Sequence, residues 1–488
     1  MKVRRTKMGL STSVELFWKS NAITEGSLFR AIIDLFLPLA FSMVFSSLIG
    51  ICDMFIAGEI GNEAQAAVGL GDQLVFLMVI IGTGLSTACT AFVSQSFGAR
   101  DSESVKRYAV ASLALAGIVG IVASVLGFCF AESLVALFSC TPQVAKFAVP
   151  YTAQNSIANA PFIFLMCEAA IFRAIGRPIL SVYVQVLTSL IAIVISVVLF
   201  YSNSFCGRSL DALAVGWITG ACAGAVWGAV ILWKTLFAQM RSSLFRSVLI
   251  SDARKISALA FPAILAELGA VLAIFLVYRM LSIEIDSASS QAAFTIKLKI
   301  EESVALIPLM ALGMSSAVVV GQNLGAGNAE RAFRACKNTS IVSAVLMLIL
   351  GITLSFSSPA LASLFSSDIT TRECISNYVA FSFLLFPLTA AANVLVAGLE
   401  GAGYTQVPMI LNFSILVFVR CGLAYVFAFL LGMGATGIAI AYCVSQLLML
   451  VCVRWTFRWQ FRVLMDLAAR AERRLDGFST LTIHPIIS

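Results

Sequence analysis

Six stretches of this chain run for membrane-crossing length without one charged residue: Ala109 to Ala131, Pro178 to Gly207, Ala212 to Trp233, Asn338 to Ser367, Cys374 to Leu399 and Cys421 to Val453. A helix needs about 20 apolar residues to cross a bilayer core. Such runs recur to the end of the chain and leave no room for a sizeable soluble domain. The composition agrees: of 488 residues, 60% are hydrophobic and 12% charged, and the mean hydropathy is +0.97, far from the balance of soluble domains. Lipid offers no partner to a backbone N–H or C=O, so each crossing must bond to itself. The expected fold is all-α and polytopic.

Windows long and apolar enough to span fall at about 35–57, 66–97, 108–130, 146–171, 178–202, 211–234, 256–281, 290–324, 333–357, 375–400, 407–431 and 435–456. That predicts twelve crossings. Most of the 32 Lys and Arg residues fall on one side if the amino terminus is inside, as the positive-inside rule requires. Both termini are therefore expected in the cytoplasm, with the protein in the plasma or inner membrane. The net charge of +7 is ascribed to the anionic inner leaflet, and no nucleic-acid partner is inferred. The basic amino terminus lacks a short apolar core with a cleavage site, so no removable signal is read. Twelve scattered cysteines without a C-x-x-C, and a single histidine, His484, give no basis for a metal or haem site.

The chain is also written twice. RAIIDLFLPLAF from Arg30 matches RKISALAFPAIL from Arg254, aligning Pro38 with Pro262, and VSQSFGAR from Val93 matches VGQNLGAG from Val320. The second offset, 227 residues, also pairs Tyr151 with Tyr378 and Gly176 with Gly403. Six crossings per repeat give both halves the same orientation, related by an axis along the membrane normal. The expected division is a cytoplasmic segment 1–27, an N-lobe 28–240, a C-lobe 241–457 and a basic tail 458–488 lying on the inner-leaflet surface. Two bundles that rock about a shared cleft would give alternating access.

The spacing from Pro38 to Asp53 and on to MFIAG, the paired GTGLSTACTAFVSQSFGARD and IPLMALGMSSAVVVGQNLGAGN segments, and the FRAIGRP and LEGAGYT turns resemble the multidrug and toxic compound extrusion (MATE) family from about residue 28 to 456. The resemblance implies a V-shaped, two-lobed exporter that exchanges a drug-like, often cationic, molecule for Na⁺ or H⁺. It places Asp53 in the N-lobe cation or proton site. The family's Asn-x-x-x-Asp pair of the fifth span is replaced here by Ala192 and Ser196. The glutamate of its seventh span is Ala270, with Glu267 three residues earlier, and the tenth-span aspartate is missing from PLTAAANVLVAG.

Acids inside a membrane are expensive, and Asp53, Asp72 and Glu267 are the candidates for cation or proton coupling. Depth counting puts Asp53, near the end of the first span, level with Asp72, near the start of the second. Two such carboxyls are expected to share a proton or a cation. Glu267 lies about 12 residues, or about 18 Å, into the seventh span. Asn155, Asn159, Ser196, Asn393 and Arg420 are candidates to line the cleft, although asparagines four apart also serve as glue between helices. In KLKIEE, Lys297 with Glu301 and Lys299 with Glu302 have spacings that let them neutralise one another. These lysines and Arg420 raise the expectation of an anionic or zwitterionic substrate. Pro38 and Pro262 are read as kinks.

The expected partners are a small-molecule substrate and the bilayer, with a monomeric state and no cofactor beyond Na⁺ or H⁺ as coupling ion. A flippase for a lipid-linked precursor is the alternative. No P-loop, H-E-x-x-H or G-x-S-x-G is present, so neither ATP drive nor an intramembrane enzyme is expected.

Overall fold

Backbone groups that hydrocarbon cannot satisfy force the apolar runs into helices, and the computed structural model has them so. It describes residues 23–137, 141–202, 209–237, 249–281, 304–365 and 385–475, with a few isolated residues between 282 and 384. In chain order the N-lobe holds α1 (Leu28–Ile60), α2 (Asn62–Gly98), α3 (Ser102–Cys129), the short α4 (Ala131–Ala136), α5 (Pro142–Ser156), α6 (Asn159–Ala174), α7 (Pro178–Tyr201) and α8 (Asp211–Leu232). The C-lobe holds α9 (Leu249–Leu281), α10 (Leu306–Gly325), α11 (Ala329–Phe356), the short α12 (Ser358–Phe365), α13 (Phe386–Gly401), α14 (Gln406–Leu430, wound partly as π-helix) and α15 (Gly434–Leu475). Among the described residues ten helices are long and apolar enough to span, α5 with α6 makes an eleventh, and the shorter apolar α13 falls in the tenth window.

The fourth crossing is bent by 49° between α5 and α6. Pro161 has no N–H to give the carbonyl of Ile157 one turn before it. Ser124 of α3 fills the gap: its hydroxyl donates to the Ile157 carbonyl at 3.2 Å and accepts from the Ala160 N–H at 3.0 Å. By contrast, Pro38 and Pro262 lie inside helices that run on through them. They mark where each helix changes lobes. Before Pro38, α1 packs Ala31 and Leu35 on Val318, Val319 and Ala335 of the C-lobe, and after it Ile56 and Ala57 pack into the N-lobe. Before Pro262, α9 packs Ile256 and Ala260 on the N-lobe, and after it Ala266 accepts from Asn412 at 2.8 Å.

The last helix also departs from expectation. No break separates the final span from the basic segment after 457, because α15 continues to Leu475 and packs Phe457 and Phe461 against Phe333 of α11. Lys297, Lys299, Glu301 and Glu302 lie outside the described residues.

The lobes meet at the face from which α1 sets out, here the terminal face. The most buried spans, α2 and α10 at 56% and 61%, end there side by side. Gln95 Nε2 donates to the Gly401 carbonyl at 2.9 Å, and Gln322 Nε2 donates to the Ala174 carbonyl at 2.7 Å. These bonds are images of one another under the 227-residue repeat. Each crosses from lobe to lobe. The backbones come this close because Gly98 faces the Gln322 carbonyl and Gly325 faces that of Gln95, each without a side chain between.

Further ties reinforce this face. Arg107 of α3 grips Asp252 of α9 through two 3.0 Å bonds, with Asp252 only 2% exposed. The segment before α1 straps across both lobes, Glu25 pairing with Arg100 of the N-lobe at 3.4 Å while Arg331 of the C-lobe donates to the carbonyls of Ile23 and Gly26. Under the strap lies a pocket of about 300 Å³ walled by Gly98 and Ala99 on one side and Gly325, Ala326 and Asn328 on the other. Arg100 sits at φ 60°, where the repeat has Gly327 at φ 78°. A left-handed residue with a side chain is disfavoured by about 1–2 kcal/mol, and here that side chain makes the strap's ion pair.

Two outcomes are expected. Gly98→Ala, or its image Gly325→Ala, forces the lobes apart at the terminal face, and spin-label distances across that face lengthen. Arg107→Ala strands a buried carboxylate and lowers stability by about 1–3 kcal/mol, read as a lower midpoint in thermal unfolding.

Candidate functional site

At the opposite end of the N-lobe four helices converge on Asp53. The carboxyl, 2% exposed, accepts a 2.7 Å bond from the indole Nε1–H of Trp217 on α8. Asp72 of α2 lies within electrostatic range of it. The Tyr151 ring of α5, packed across Gly71 and wholly buried, is in reach of both acids. Depth counting put these two acids level, and they do act on one another electrostatically. Two acids this close oppose one another's charge.

The cleft candidates divide. Asn155, one turn from Tyr151 on the same helix, is buried. Asn159 points at Gly127 of α3, and Ser196 lies against Gly216 of α8, so both are packed between helices rather than facing open space. Asn393 donates to the Leu309 carbonyl at 3.3 Å across α13 and α10. Arg420 is 6% exposed and engaged by α15: it donates to Ser445 at 2.8 Å and to Gln446 at 2.9 Å, and stacks 4.2 Å over Tyr442. It makes no ion pair with Glu267 among the described residues.

Glu267 is itself exposed on α9, and it influences Glu400, in the last turn of α13, electrostatically. Among the described residues no group of three or more His, Cys, Asp and Glu side chains is placed to hold a metal ion.

A family model described as MatE matches this chain over residues 38–198 and 262–426. The chain belongs to the MatE family. The two matched segments begin at Pro38 and Pro262, the residues the repeat had already paired. Among curated relatives the chain is 26% identical over 398 residues to the multidrug resistance protein PmpM of Pseudomonas aeruginosa, covering 78% of this chain and 80% of that one. It is 24% identical over 422 residues to an FAD transporter of Shewanella oneidensis, covering 86% and 92%. Among solved structures it resembles a MOP superfamily transporter from Pyrococcus furiosus, with TM-score 0.83 at 19% identity over 92% of this chain and 99% of that one. A second, a multidrug resistance MATE family transporter solved in an outward-facing conformation, has TM-score 0.80 at 20% identity with the same coverage. The chain is a multi-pass membrane transport protein of this family and not an enzyme.

Within the MatE fold, sequence reasoning missed two residues. Trp217 stood in GWITGACAGAVWG with nothing to set it apart from Trp227, and Glu400 stood one residue beyond an uncharged run and was taken for its boundary. Trp217→Phe keeps the edge-on contact with Phe162 and removes the N–H. It is expected to cost about 1–3 kcal/mol in the parent and far less in an Asp53→Ala background, a coupling that a double-mutant cycle of unfolding midpoints measures.

Proposed function

We propose that this chain is a secondary antiporter of the inner membrane, with both termini cytoplasmic, that exports drug-like small molecules in exchange for Na⁺ or H⁺. One observation carries the reading: the lobes are sealed at the terminal face by repeat-related glutamine bonds, while the buried Asp53 site lies toward the opposite face. With the termini inside, this is the state closed to the cytoplasm. The coupling ion then enters from outside, where each positive charge moving inward through 100 mV gains about 2.3 kcal/mol.

An ion at Asp53 neutralises the carboxyl that Trp217 holds, and so relaxes a charge-assisted bond between α1 and α8. Because α1 also packs on the C-lobe through Ala31 and Leu35, loading the site bears on the lobe junction. Among the described residues Arg420 is occupied within its own lobe, and the acids Glu267 and Glu400 act on one another from α9 and α13. That supports a cationic substrate over the anionic or zwitterionic one its sequence suggested. The relatives, multidrug and FAD transporters by name, do not favour the flippase alternative.

Efflux from proteoliposomes with imposed Na⁺ or H⁺ gradients tests the reading. Gradient-driven export of a cationic dye is expected in the parent and lost in Asp53→Asn. Undiminished export by the mutant, or export of anionic compounds alone, would refute it.

A further inference from the structure

A second acid is enclosed in the N-lobe, far from Asp53. Glu168 of α6 is 0% exposed, and neither of its carboxyl oxygens has a hydrogen-bond partner among the described residues. On α8 it faces Gly228, where a Cβ would run into the carboxyl. Among the described residues it makes no ion pair. Cys167 on its own helix is adjacent, with Cys89 of α2 and Ser112 of α3 beyond that. Arg173, five residues along α6, acts on Cys89 and Cys167 and not on Glu168; among the described residues its Nε is without a partner as well.

Packing does not require an acid here. The 227-residue repeat places Leu395 at the same position of the C-lobe, buried in an apolar cluster. The first half therefore keeps a carboxyl where the fold accepts leucine, at a large desolvation penalty. A carboxyl without partners in such a place is tolerated only in its neutral form. Sodium needs several oxygen ligands, whereas a proton needs one.

We propose that Glu168 is a second proton-binding site of the N-lobe, loaded and emptied from the terminal face. It lies six residues, about 9 Å along the helix, from Ala174, whose carbonyl Gln322 holds in the lobe junction. While that junction is shut, Glu168 is sealed. When the lobes part there, water approaches and the proton exchanges with the cytoplasmic side. The protonation rests on geometry alone, and only its use in transport rests on the antiport reading.

Infrared difference spectra of the purified protein in lipid at neutral pH provide the test, comparing the parent with Glu168→Gln and with Glu168→Leu, the residue the second repeat uses. The parent is expected to show the carbonyl stretch of a buried protonated acid that both variants lose, with thermal unfolding of Glu168→Leu unchanged or later. In proteoliposomes Glu168→Leu is expected to move one fewer proton per substrate. Spectra in which no protonated acid is lost, or an unaltered proton count, would overturn the assignment. Failure of Asp53→Asn to affect coupling would sink the antiport reading and leave the infrared result standing, so the two are separable.

Discussion

Two long helices can lie end against end across a lobe boundary only if something lets their backbones touch. Here the meeting of α2 with α10 depends on Gly98 and Gly325, whose missing side chains bring each chain onto the carbonyl of the other lobe's glutamine. In hydrocarbon, where apolar surface gains nothing by meeting apolar surface, close van der Waals approach and interhelical hydrogen bonds are what remain to hold bundles together. Gln95 and Gln322 supply those bonds in duplicate. The Arg107–Asp252 pair and the strap before α1 act on the same face, so the contacts between lobes concentrate at one end.

Because the lobes are fastened at one end, each must be stiff by itself. The N-lobe achieves this with a stripe of Gly216, Gly220, Gly224 and Gly228 on α8, which admits Ser196, Ala192, Thr188 and Glu168 at backbone distance. The bend in its fourth crossing is held by Ser124, inserted where Pro161 leaves a carbonyl without a donor. Among the described helices α1 and α9 pack into both lobes, and they change sides near Pro38 and Pro262. A helix that lacks one backbone bond at its crossing point is a reasonable place for motion to be taken up.

The two lobes handle charge differently. In the N-lobe, Asp53 and Glu168 are enclosed, the first with an indole donor and the second with none. In the C-lobe, Glu267 is open and Arg420 is quenched by Ser445, Gln446 and Tyr442. The repeat duplicates the scaffold and leaves the chemistry unequal.

Much of this was written in the chain. Uncharged runs of spanning length imposed an all-helical membrane protein, because lipid cannot satisfy a bare backbone. The repeat aligned the segments that hold Gln95 and Gln322, without marking the glutamines themselves, and it paired Pro38 with Pro262, while counting depth along two helices set Asp53 level with Asp72. Partnership across distance was not legible. Nothing local to Trp217 says that it bonds residue 53, or that Ser196 and Asn159 are turned into helix contacts, or that Arg420 is consumed by α15 and not offered to a ligand. Periodicity and hydropathy report how a segment meets its solvent, whereas a side chain's partner depends on the rotation and tilt of a helix distant in sequence. Those were decided only when the bundles packed.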